Sequence, residues 1–146
     1  MDKSLNYIAL ARKAGKAELG EEPVGAAARA LHAHLIIVAS DASDHTWRRA
    51  KSFAAGTQQQ CIRVSYTKDE IGAAIGRQSL AIAAITDAAL AKAFVESLPQ
   101  PEKYKLTLEV LTHRAERVRQ RQAEAKAHER NKRLGKRRAP ANNKEH

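Results

Sequence analysis

Apolar residues recur along this chain in two rhythms, a helical one and a short continuous one, and the changes between them mark out its elements. In residues 2–13, Leu5, Ile8 and Ala9 share one helical side, with Asp2 placed to cap the helix and Gly15 to stop it. Residues 16–19 read as a short extended stretch. Gly20 opens a second helix to about Leu31, and Glu21 and Glu22 occupy its first turn, where negative charge complements the helix dipole. The run HLIIVA at 34–39 is short, β-branched and nearly all apolar, which suits a strand covered on both faces. A polar turn at 40–44 leads to a helix carrying Trp47 and Phe53, ended by Gly56, and residues 61–65 form a second strand of the same buried kind. Thr67 and Glu70 make a capping-box pattern at the start of a short helix. A further strand at 80–85 runs through Thr86 and Asp87 into a helix at 88–98. Strands alternating with helices of about ten residues predict a three-layer α/β/α sandwich, with right-handed crossovers wherever neighbouring strands are parallel.

Beyond this point the pattern changes. Pro99 and Pro101 interrupt helical continuity, and residues 102–134 contain neither Gly nor Pro and are rich in helix formers, so a long helix is expected. Tyr104, Leu108, Leu111, Ala115 and Val118 repeat at four- and three-residue spacing as one apolar stripe, which stops there. Arg114, Arg117, Arg119, Arg121 and Lys126 follow, then Arg130, Lys132 and Arg133, with Gly135 expected to end the helix before Lys136, Arg137 and Arg138. The stripe predicts docking on the core or on a second copy; the cationic half is expected to project and to fold fully only against a polyanionic partner.

Charge gives the same division. Positions 1–99 hold 12 Lys+Arg against 10 Asp+Glu, whereas positions 100–146 hold 14 against 6, so the formal net charge of +10 lies mostly in the tail. Three regions result: an α/β domain at 1–99, a basic helical extension at 100–135 and a disordered basic tail at 136–146. Clustered Lys and Arg displace counterions from phosphates, so nucleic acid is the expected partner.

Other classes find little support. No apolar run reaches the roughly 20 residues needed to cross a bilayer, and the N-terminal residues do not have a signal-peptide pattern, so a cytoplasmic location is expected. Cys61 is the sole cysteine, which excludes an intrachain disulfide and a Cys-rich zinc site and reads as a buried strand thiol. His32 and His34 stand two apart with no acidic or thiol cluster beside them, which favours surface or packing histidines over a metal site. The Ser40-Asp41 and Ser43-Asp44 pairs are explained by a turn at a helix start. Neither a catalytic constellation nor a cofactor is expected.

Four segments carry a resemblance: ARKAGK at 11–16, GEE at 20–22, LIIVASD at 35–41, and IGAAIG at 71–76 followed by AIAAITD at 81–87. In this order and spacing, over about two-thirds of the chain, they resemble the ribosomal protein L-seven-Ae and L-thirty-e superfamily, most closely its bacterial YlxQ-like branch. The resemblance implies an α/β/α fold that binds folded RNA, often kink-turns, through the helix start after Gly20 and two nearby loops. Gly20 would let RNA backbone approach, Glu21 and Glu22 would lie at the contact, and Lys13 and Lys16 would flank it as phosphate contacts. Arg77 and Gln78, in the loop at 76–80, would add a guanidinium and a polar group against an extruded base. Kink-turn binders of the superfamily show Asn-Glu after the glycine and a Lys three positions further on. Glu22, Pro23 and Ala26 stand there instead, so the usual contacts to sheared G·A pairs lose their donors and their cation.

The expected function is therefore binding of structured RNA without catalysis, in a ribosomal or ribosome-associated protein, with ribosomal RNA as the foremost partner. The alternatives are a transfer or small RNA, or a protein-interaction or homodimerisation module built on the stripe from Tyr104 to Val118.

Overall fold

A computed structural model of the protein describes residues 2–142, with side chains described as far as Leu134. The elements follow one another as α1 (Lys3–Lys13), β1 (Ala17–Leu19), α2 (Glu21–Arg29), β2 (Leu35–Val38), α3 (Asp44–Ala54), β3 (Gln60–Arg63), α4 (Lys68–Ala74), β4 (Ile82–Ile85) and α5 (Ala88–Glu96). A 3-10 turn at Pro101–Tyr104 leads into α6 (Lys105–Asn142).

Local chemistry sets most of these boundaries. The Asp2 side chain accepts from Ser4 N at 3.0 Å and caps α1, and Gly15 leaves the helix at φ 71°. Ser43 caps α3 through Thr46 N, and Thr67 with Glu70 closes the reciprocal capping box of α4. Gly72 is needed for packing: a Cβ there would lie 2.6 Å from Ser79 Cα, so α4 rests directly on the backbone that returns towards β4.

The four strands lie in the order β1-β4-β2-β3. β2 and β3 are parallel, while β4 is antiparallel to β2 and to β1. Only the β2–α3–β3 connection therefore joins neighbouring parallel strands among the described residues. Side chains alternate across β2: Leu35 and Ile37 enter the core under α1, α4 and α5, whereas Ile36 and Val38 enter the one under α2 and α3. This is the three-layer sandwich, with Phe94 and Leu111 fully buried in the first core and Val24 and Ala50 in the second.

Some expectations change. In α1 the buried side is Ser4, Leu5, Ile8 and Ala11, with Ser4 Oγ donating to Ser97 O at 3.0 Å, and Ala9 is only partly covered. β3 is an edge strand rather than a fully buried one: Ile62 is buried but Gln60, Cys61 and Arg63 are only partly covered. Its outer side is approached by the start of α6, where Tyr104 Oη donates to Arg63 O at 3.1 Å and Thr107 Oγ1 bonds Gln60 Oε1 at 3.0 Å. The helical path also does not end at Gly135 but continues to Asn142, so residues 136–142 of the expected disordered tail are helical. A lone glycine costs a helix about 1 kcal/mol relative to alanine, too little to stop one flanked by strong helix formers. The side chains of Lys136, Arg137 and Arg138, and residues 143–146, lie outside what is described.

Candidate nucleic-acid interface

Two surfaces hold the residues singled out from sequence, and the register of the sheet places them at opposite ends. Because β4 is antiparallel to both β1 and β2, the end of β1, the start of β4 and the end of β2 come together. Gly20, at φ 96°, donates its N–H to Ile82 O at 3.0 Å and so fixes the start of α2 against the start of β4. The segment 76–81, with exposed Arg77 and Gln78, leads into the same strand end, and the turn after β2 adds Asp41, whose carboxylate accepts from Lys68 N at 2.8 Å. The helix start and its two loops thus share one end.

The chemistry of that end is not strongly cationic. α2, α3 and α4 all begin there, and their first turns carry Glu21, Glu22, Asp44, Asp69 and Glu70. Glu21 is engaged within the fold, with Oε1 2.7 Å from Arg49 Nε, whereas Glu22 is exposed. Gly20 offers no side-chain cap, so the N–H groups of Glu21 and Glu22 point outward as donors, while Pro23 contributes none. An arriving phosphate would meet two amides, one free carboxylate and few cations.

Lys13 and Lys16 do not flank this platform. Lys16 precedes β1, whose first residue pairs with Ile85 at the far end of β4, and its backbone carbonyl accepts from Thr86 N at 2.8 Å. Four residues of extended chain separate it from Gly20, roughly 13 Å. Its ammonium lies 3.6 Å from Asp87 Oδ1, and the other Asp87 oxygen caps α5 through Leu90 N at 2.9 Å.

α6 reaches the same far end. Leu111 is fully buried, and Tyr104 and Leu108 pack at the edge of the same core. Arg114 Nη1 then meets His34 Nδ1 at 3.1 Å beside the start of β2. A guanidinium can only donate, so Nδ1 carries the lone pair and the imidazole is neutral. Burial, and after it the charge of Arg114, hold the His34 pKa below its ordinary value. Asp87, Ala89, Lys92 and Glu96 of the α5 region line one depression with Ala115, Val118, Arg119 and Gln122 of α6. Every residue from 116 to 134 is exposed. That stretch carries Arg117, Arg119, Arg121, Lys126, Arg130, Lys132 and Arg133 against Glu116, Glu124 and Glu129.

The Glu21–Arg49, Lys16–Asp87 and Arg114–His34 contacts join distant segments, and no local pattern announces them. Trp47 is a further case, with Arg63 and Lys51 set 4.9 and 5.2 Å from its ring centre. Cys61 is partly covered, and burial pushes its thiol up to about 12. Among the described residues no group of three metal-ligating side chains gathers, and no helix is long and apolar enough to cross a membrane.

No protein-family model matches the sequence. The chain is 35% identical over 75 residues to the RNA-binding protein YlxQ of Enterococcus faecium, an alignment covering 51% of this chain and 72% of that one. Among solved structures, a protein of unknown function from Bacillus halodurans C superposes with a TM-score of 0.62 at 26% identity, covering 66% of this chain and 97% of that one. A Giardia lamblia 15.5kD RNA binding protein superposes at 0.56 with 18% identity, over 68% and 84% of the two chains, and shares the fold. The extent of the match shows the family: the chain belongs to that of the RNA-binding protein YlxQ.

Proposed function

We propose that this protein binds structured RNA in the cytoplasm without catalysis, as a ribosomal or ribosome-associated protein, and that the basic half of α6 supplies most of the affinity. One observation carries the reading: every residue of the continuous helix over 116–134 is exposed, and the stretch carries seven Lys and Arg against three Glu. A bare helix of this composition gains its partner in a polyanion. The YlxQ relative and the Giardia neighbour, both named for RNA binding, support the choice of RNA. The end around Gly20, with its acidic first turns, adds position more than affinity.

The apolar stripe expected to serve a protein partner is used inside the chain, where Leu111 enters the core and Tyr104 bonds β3. That use favours the core over a second copy as the partner of the stripe. The ribosomal part of the reading is tested by crosslinking in cells and sequencing of the attached RNA. Reads dominated by ribosomal RNA, with crosslinked peptides from 116–134, are expected; a transfer or small RNA in their place would contradict it.

A further inference from the structure

The cations of α6 are not spread evenly in function, and their placement on the helix says where RNA lies. Tyr104, Leu108, Leu111, Ala115 and Val118 define the side of α6 that faces the protein core. Advancing ~100° per residue, Arg133, Lys126, Arg119 and Arg130 fall roughly 20°, 40°, 60° and 80° to one flank of that side, with Glu129 roughly 20° to the other. Lys126, Arg130 and Arg133 line one shallow groove there together with Glu129 and Leu134. Arg117 and Arg121, by the same count, point well away from it. One flank of the docking side thus becomes cationic where the globular domain ends, with Glu129 beside it.

Lys16 stands at that point. Its partner Asp87 shares a depression with Arg119, which brings the end of α1 and the start of β1 up to the cationic row. Lys16 remains half exposed in its ion pair, and Lys13, three residues before it, is exposed. The end of the sandwich and the projecting helix therefore form a corner, with Lys13, Lys16 and Arg119 exposed around it and Asp87, Glu96 and Glu116 among the residues that line it.

We propose that this corner is a binding site for double-stranded RNA, with Lys13 and Lys16 on one wall and Arg119, Lys126, Arg130 and Arg133 on the other. The inference rests on RNA binding by α6 and adds which side is used, what joins it and which form of RNA fits. Every Phe, Trp and Tyr of the chain lies at or before Tyr104, so the cationic row has no such ring on which an unpaired base could stack. Its groups are cations on a rigid rod, with Arg119 and Arg133 about 21 Å apart along the axis. A fixed row of this kind matches phosphates held in a duplex, recognised by backbone and shape.

The test uses the full chain and an RNA duplex of roughly 20 base pairs, with one of its strands alone as competitor, across a salt series. Removing one phosphate-binding cation lowers the slope of log affinity against log salt by about 1. Lys13→Gln with Lys16→Gln, and separately Arg130→Gln with Arg133→Gln, should each lower the slope by about 2, while Arg117→Gln with Arg121→Gln, an equal change of charge, should lower it by less than 1. All six positions are exposed, so melting temperatures should not move. An unchanged slope for the lysine pair, an equal loss for the control pair, or equal binding of the single strand would overturn the corner while leaving RNA binding by the tail intact. Absence of any RNA binding by the full chain would overturn both.

Discussion

Cys61 and His34 show how burial at a single residue sets what it can do. With its thiol pushed up to about 12, Cys61 holds almost no thiolate at neutral pH. Alkylation of the native protein at pH 8 should be slow and should accelerate once the chain is unfolded; equal rates would contradict the packing assigned to β3. His34 binds its proton less readily in the folded chain than its ordinary value of about 6.5. Its contribution to stability is therefore complete above that value and is lost as pH falls through it towards the folded value. Protonation also sets a cation against Arg114, so α6 loosens at its last anchored turn. Thermal melting between pH 8 and pH 5 should decline in the native chain and decline less in His34→Gln. Gln59 is a third case, almost fully buried, with Oε1 accepting from Ala33 N at 2.9 Å and Nε2 donating to Ala28 O at 3.1 Å. It closes the turn after α2, where Leu31 sits at φ 62°, and Gln59→Ala should lose about 1–3 kcal/mol of stability by leaving those groups unpaired, measured by denaturant unfolding.

At the scale of elements, much was legible because burial imposes a period on sequence. The helices and strands stand near where apolar spacing, caps and glycines place them, and the Thr67 and Glu70 pattern forms the box it predicts. The strand order was not legible, since pairing joins segments far apart in the chain and a short apolar run carries no sign of direction. Nor was the edge position of β3, because Ile62 and Val64 look alike in a central strand and in one flanked by a helix. Lys16 was misplaced for a different reason: residues 16–19 read as extended, but which strand end they pair with was not legible, and β1 sets Lys16 at the far end of β4. The docking stripe of α6 was legible, and it makes a firm forecast. Leu111→Ala, in a fully buried site against α5 and the sheet, should cost about 2–5 kcal/mol, whereas Leu106→Ala, at a site 77% exposed, should cost little. Similar losses at both sites would mean that α6 does not dock as described.

For the whole molecule, the division of labour follows from where charge is free. The sandwich presents a helix start and two loops at one end, with acidic first turns that suit their own dipoles better than a phosphate. The other end leads into a helix whose cations are exposed, so affinity should follow that helix. The candidate residues were therefore nameable from sequence, but their grouping into two opposed surfaces needed the register of the sheet. The most direct measurement is the salt dependence of RNA binding by the full chain and by a chain ending at Gln120, which keeps the turns of α6 that carry Leu108, Leu111, Ala115 and Val118. Truncation removes Arg121, Lys126, Arg130, Lys132 and Arg133 among others, so the slope should fall by at least about 3, with melting of the sandwich unchanged. An equal slope for the two chains would contradict an affinity carried by the basic half of α6 and return it to the end around Gly20.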